Sequence, residues 1–134
     1  MTTDQRIELG MQYRSQGYNC AQSVLMAVSD RLGISPEIAA SMCGGFGGGV
    51  GGQGEICGVA SAMTIAESLM SGPDPRQKAN VYHNVRQLCA EFRAHNGGLL
   101  CCRDLKAPPQ RVPCDDLVAD GIDILDRAIT RRLK

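Results

Sequence analysis

Apolar residues recur along this chain at helical spacing nearly throughout, and no segment alternates as a strand would. Ala21, Val24, Leu25, Val28 and Leu32 form one stripe at i, i+3, i+4 and i+7, with Asn19 placed to cap its start and Gly33 to end it. Upstream, Ile7, Leu9 and Met11 mark a first helix to about Ser15, with Thr3 or Asp4 as its cap. Ser35-Pro36-Glu37 reads as a cap followed by a first-turn proline, opening a short third helix through about Met42. Ile56, Val59, Met63, Ala66 and Met70 mark the inner face of a fourth helix, which Gly72-Pro73 closes. Asp74-Pro75 starts a fifth, with Val81, Val85, Leu88 and Phe92 inward, ending near His95. Leu117, Val118, Ile122, Leu125 and Ile129 carry a last helix from about Pro113 to Arg132, in which Gly121 is a weak point. The pattern predicts an all-α fold: a single compact bundle of five or six helices with a glycine-rich loop, residues 1–134 forming one domain.

Composition narrows what such a bundle does. The only aromatics are Phe46, Phe92, Tyr13, Tyr18 and Tyr82, so the core must be aliphatic. Lys plus Arg and Asp plus Glu number 14 each, which offers no basic field for nucleic acid or an anionic membrane. No run approaches the roughly 18 apolar residues of a membrane span, and the start, Met1 to Ile7, has no apolar leader segment. A soluble cytoplasmic protein is expected. Seven cysteines is an odd number, which argues against a fully paired secreted disulfide scaffold. In a reducing compartment, clustered cysteines more often bind metal or cycle between redox states.

Four cysteines sit where helices should begin. Cys20 follows Gly17-Tyr18-Asn19, Cys57 follows the glycine stretch, Cys102 opens Cys102-Arg103-Asp104-Leu105, and Cys114 follows Pro113. A helix N-terminus carries about half a positive charge and favours thiolate, the form that attacks disulfides or binds metal. Two bare thiolates about 4 Å apart repel by about 4 kcal/mol at an effective dielectric near 20. Four converging cysteines must therefore be protonated, paired, or neutralised by a metal centre. From neighbouring charges alone, Cys102 or Cys57 is expected to ionise first, Cys20 next, and Cys114, followed by Asp115 and Asp116, last. Cys89 and Cys43 read as packing cysteines, the latter beside the glycine loop. Cys101 adjoins Cys102 and is an alternative to it as ligand or resolving thiol. The absence of a C-x-x-C pair argues against a zinc ribbon and against a thioredoxin-type site. His83 and His95 stand twelve residues apart on one helix and read as surface or capping residues.

Nine of the fifteen residues from Gly44 to Gly58 are glycine, so matches to G-x-G-x-x-G arise by chance there, and a helix rather than a strand precedes them. Such a loop can turn backbone N–H groups toward an anion or a cluster sulfide. Gly49, Gly52, Gly54 and Gly58 are the positions expected to bind a cofactor in this way. A close helix crossing or a plain connection uses glycines equally well.

The ordered set Asn19-Cys20-Ala21-Gln22, Gly44 to Gly54 with Glu55-Ile56-Cys57-Gly58, Cys102-Arg103-Asp104-Leu105 and Cys114 resembles the C_GCAxxG_C_C family of redox-active proteins. The resemblance covers most of the chain, from Asn19 to the last helix. It implies a small helical domain whose cysteines, here Cys20, Cys57, Cys102 and Cys114, have redox or iron–sulfur roles. Two stretches depart from the family pattern. Val59-Ala60-Ser61-Ala62 keeps small residues but lacks the family glycine. Gly97-Gly98-Leu99-Leu100-Cys101 lacks the polar lead-in, which leaves Cys101 and Cys102 as alternatives for the third thiol. The favoured expectation is an electron-transfer or redox-sensing domain in which Cys20, Cys57, Cys102 and Cys114 are candidate metal ligands, holding an iron–sulfur cluster as cofactor. Its alternative is metal-free thiol–disulfide chemistry with Cys57 and Cys102 as the catalytic residues and Cys57 attacking. A structural helical module with packing cysteines is the third. The partner expected is another redox protein, with a homodimer left open.

Overall fold

The computed structural model describes residues 1–133, which form seven α-helices and no strand. They are α1 (Thr3–Ser15), α2 (Cys20–Val28), α3 (Pro36–Cys43), α4 (Gly58–Ser71), α5 (Lys78–His95), α6 (Cys102–Lys106) and α7 (Cys114–Arg132). The seventh helix is α6, five residues within the connection between α5 and α7, opening at Cys102 where the sequence places a helix start. Among the described residues no helix is long and apolar enough to cross a membrane.

Local chemistry sets the helix ends. Asn19 caps α2 in a reciprocal box with Gln22, and Ser35 with Pro36 opens α3. The cap of α1 is Thr2, one residue before the expected positions, because Gln5 completes a box with it and not with Thr3 or Asp4. α2 is the central helix: every residue except Gln22 is buried, and α1, α3, α4 and α7 all pack on it. Ile56, expected on the inner face of α4, instead precedes the helix and is 38% exposed. In that extended approach successive side chains point opposite ways, so the buried Cys57 sends Ile56 outward.

A polar cluster in the interior joins α1 to α7. The buried Arg6 guanidinium bonds Asp30 at 2.6 Å, donates to the Ala27 carbonyl at 3.0 Å, and lies 3.2 Å from Asp126. Arg31 and the Thr3 hydroxyl also donate to Asp126, at 2.7 and 2.6 Å. Burial acts against charge on Asp126, but the bonds from Thr3 and Arg31 and the nearby charges of Arg31 and Arg6 hold its carboxyl below the usual range.

Gly121 is where α7 meets α4. A β-carbon there would run into the Val59 side chain, and one at Gly10 would run into Ile122. The missing side chains let α7 approach α4 and α1 closely, so the glycine that lowers helix propensity is a packing requirement. Gly121→Ala is expected to lose about 1–3 kcal/mol by overpacking, more than the helix propensity of about 1 kcal/mol that alanine returns. Urea unfolding should show it. Val59→Ala in the same chain should recover part of the loss, so that the double variant is more stable than the two single changes sum to.

Candidate functional site: a row of thiols at the helix starts

The glycine stretch folds as a wound loop. Gly48, Gly49, Val50, Gly51 and Gly52 all have positive φ, between 59° and 78°, a run that only glycine adopts without strain. Val50 is the strained member. The loop satisfies its own donors: Gly51 bonds the Gly45 carbonyl at 2.8 Å, Gly52 that of Gly47, Gly54 that of Gly48, and Glu55 that of Gly49, these last at 3.0 Å. The N–H groups of Gly52 and Gly54, expected to face a cofactor, are thus engaged inside the loop. Gly49 and Gly58 act through their lack of a side chain. A β-carbon at Gly49 would lie 2.8 Å from the Cys102 β-carbon, and one at Gly58 would lie 2.6 Å from the Cys20 sulfur.

A short antiparallel exchange holds the loop's exit to the start of α6. Cys57 N–H donates to the Leu100 carbonyl at 3.0 Å, Cys102 N–H to that of Glu55 at 2.6 Å, and Arg103 N–H to that of Gly54 at 3.1 Å, around the bridge from Ile56 to Cys101. The Arg103 guanidinium adds a bond to the Gly54 carbonyl at 3.0 Å and an exposed ion pair with Glu55 at 2.7 Å. On the other side, Asn19 donates to the Gly44 carbonyl at 3.2 Å and Gln22 to that of Ala40 at 3.0 Å. These tie the cap of α2 to the end of α3.

The consequence is a continuous neighbourhood of five thiols. All four predicted cysteines start helices: Cys20, Cys102 and Cys114 are first residues of α2, α6 and α7, and Cys57 is the cap of α4. Cys43, read from the sequence as packing, joins them as a buried neighbour of Cys20. Burial pushes the Cys43 thiol up to about 12, and Cys20 adds to the shift. Burial likewise pushes Cys57 up to about 12; the Val59 and Ala60 N–H groups oppose it, while Cys20 and Cys102 reinforce it. Cys102 is also raised, by burial first, then by Cys114 and Cys20, with Lys106 opposing. Cys114 is half-buried, and the Lys106 ammonium donates to its sulfur at 3.3 Å. Cys101 caps α6 and is half-buried. Cys89 lies apart on α5, half-buried, its thiol raised by burial.

Cys57 and Cys102, which neighbouring charges in the sequence favour as the most acidic thiols, are thus both raised by burial. Desolvation outweighs the helix-terminal field, which contributes only about 0.3–1 kcal/mol. Thiolate sulfurs are the right ligands for the irons of an iron–sulfur cluster. Yet among the described residues no three His, Cys, Asp or Glu side chains are placed to hold one metal ion. The cysteines are close enough to feel one another's charge without being gathered around a common point.

A sequence model described as "Putative redox-active protein (C_GCAxxG_C_C)" matches residues 18–128, from before Cys20 to beyond Cys114. The chain belongs to this family. An uncharacterized protein of Archaeoglobus fulgidus is 32% identical, the match covering 79% of this chain and 81% of that one. No solved structure gives a significant match. In this C_GCAxxG_C_C protein Cys20, Cys43, Cys57, Cys102 and Cys114 all lie within the matched residues.

The buried thiols of Cys43 and Cys57 make the protein sensitive to alkali. An unfolded thiol ionises near the ordinary 9.0, whereas folded Cys43 and Cys57 hold their protons to about 12. Above the unfolded value the native state thus binds more protons than the unfolded one. The stability present below about pH 9 is lost as pH rises toward 12, by up to about 1.4 kcal/mol per pH unit for each group. Cys43→Ala should flatten the fall by one such increment, read from urea unfolding between pH 8 and 11.

Proposed function

We propose that this C_GCAxxG_C_C protein is a two-electron dithiol–disulfide redox protein whose working thiols are Cys20, Cys57, Cys102 and Cys114. The observation that carries the reading is the gradation along the row. Cys43, Cys20 and Cys57 are buried, Cys102 and Cys114 are half-buried, and backbone bonds between distant segments hold the buried and outer members together. Two neutral thiols converting to a neutral disulfide place no charge in the low-dielectric interior, whereas a set of thiolates there would be strongly disfavoured. Buried thiols with raised pKa suit this exchange of electrons and protons together. Cys57, with 3% of its surface exposed, acts as an inner partner and not as the first attacking thiol. Its electrons pass outward through Cys102 and Cys114 to a redox-protein partner.

Titration of anaerobically purified protein in a thiol–disulfide redox buffer, with peptide mapping of the bonds formed, tests this. Thiols should disappear in pairs, within the set Cys20, Cys57, Cys102 and Cys114. Cys57→Ser should remove one pair while the fold survives. Cys89→Ala should keep every pair at a cost of about 1–2 kcal/mol in stability. Iron and sulfide bound in stoichiometric amounts, with visible absorbance that Cys57→Ser abolishes, would replace the dithiol reading with an iron–sulfur one.

A further inference from the structure

Two helices on one side of the bundle show solvent an apolar face. α3 and α4 both pack on α2, and a groove runs between the end of α3 and the second half of α4. Met42, Ile65, Leu69 and Pro73 line it, with Thr64 and Ser68. Beside the groove stands a ridge. Ile38 and Met42, one turn apart on the outer face of α3, are 52% and 37% exposed, and Leu69 across the groove is 38% exposed.

The polar groups of this face are already engaged. The Thr64 hydroxyl donates to the Ala60 carbonyl at 2.8 Å and the Ser68 hydroxyl to that of Thr64 at 3.0 Å, so both are spent on their own helix. Glu67, the one charged residue of α4, turns away into its pair with Arg132 of α7. Glu37, the one charge of α3, lies close enough to Tyr13 of α1 to help raise its pKa. Beyond Pro73, Asp74 and Arg76 neutralise each other at 2.9 Å. Among the described residues lining the groove, none is charged and neither hydroxyl hydrogen is free.

These features narrow what the groove receives. A small-molecule site orients its ligand with a few placed polar groups, and this lining offers no such donor. A redox partner must reach the outer thiols, but neither α6 nor α7, which begin with Cys102 and Cys114, borders the groove. A second copy of the chain meets both conditions. It carries the same uncharged ridge and groove side by side, so a two-fold axis seats the ridge of each copy in the groove of the other. With 14 basic and 14 acidic residues in the chain, two copies approach without net repulsion near neutral pH.

We propose that the α3–α4 face is a homodimer interface, in which Ile38 and Met42 of each copy pack against Ile65, Leu69 and Pro73 of the other. The contact leaves the outer thiols uncovered, so the dithiol reading stands or falls apart from it.

Sedimentation equilibrium of the full chain in excess reductant, from micromolar to millimolar concentration, is the test. The mean mass should rise from 14.3 kDa toward twice that value. Leu69→Lys, which sets an unpaired cation in the groove, should hold it at 14.3 kDa throughout. Tyr82→Lys makes the same charge change at an exposed position on α5 and should leave the dimer as it is. Met42→Glu should also be monomeric. Mixed in equal amounts with Leu69→Lys it should regain a dimer, because the two-fold contact sets position 42 of one copy against position 69 of the other. Dilute samples of all three variants should keep the helix content and unfolding midpoint of the parent protein. A parent protein that stays at 14.3 kDa at millimolar concentration overturns the proposal. If that monomer takes up an anilinonaphthalene dye that Leu69→Lys excludes, the groove belongs to an apolar ligand instead. A dimer that survives Leu69→Lys, or that Tyr82→Lys disrupts equally, overturns it as well. Growth beyond two copies, or a mixture that remains monomeric, overturns the seating of ridge in groove.

Discussion

The constraint on which the site depends is the short antiparallel exchange between residues 54–57 and 100–103. Cys57 and Cys102 are 45 positions apart, and nothing in either helix alone would bring them together. Three backbone bonds do so, and they need a loop that returns the chain at the right place. The run of positive φ from Gly48 to Gly52 provides that return. At Gly49 the approach to Cys102 leaves no room for a side chain. The glycines are best understood as the means of closing this contact. Loop donors bonded to loop carbonyls make the closure self-supporting, so it does not wait for a ligand.

Given that contact, the electrostatics of the site are governed by burial. A helix terminus can lower a thiol's pKa when the sulfur is near water, but Cys57 lies beneath the first turn of α4. There the loss of hydration exceeds what the Val59 and Ala60 amides return. Inner and outer members of the row thus sit in different surroundings. Burial raises the thiols of Cys43 and Cys57, whereas Cys102 and Cys114 are half-buried and a lysine reaches the Cys114 sulfur.

Much of the fold was legible in the sequence. The caps at Asn19 and Ser35, the stripe of α2 and the core positions of α7 announce themselves through short-range rules, and all four predicted cysteines do start helices. What the sequence hides is whatever depends on distance in space. Gly121 looks like a defect until Val59 is seen opposite it. Cys43 looks like filler until the capping residues of α2 tie the end of α3 beside Cys20. Asp115 and Asp116 appear to burden Cys114, but Arg14 comes from α1, 101 positions away, to pair with the first of them. Neighbours in the chain misjudged the Cys57 and Cys102 thiols for the same reason, since desolvation, which raises both, is a property of the packed interior.

The fit of the Cys20 sulfur against Gly58 bears on which forms of oxidised sulfur the packing has room for. Overoxidation of a cysteine to sulfinic or sulfonic acid adds two or three oxygens to one sulfur and is largely irreversible. At Cys20 a single carbon at position 58 would already crowd the sulfur at 2.6 Å, and Cys43 and Cys57 lie just as deep in the bundle. Close packing admits a sulfur–sulfur bond, which needs no added atoms, and resists an acid that does. Were this end of the protein overoxidised, the half-buried Cys101, Cys102 and Cys114 would have the room for added oxygens that the inner sulfurs lack.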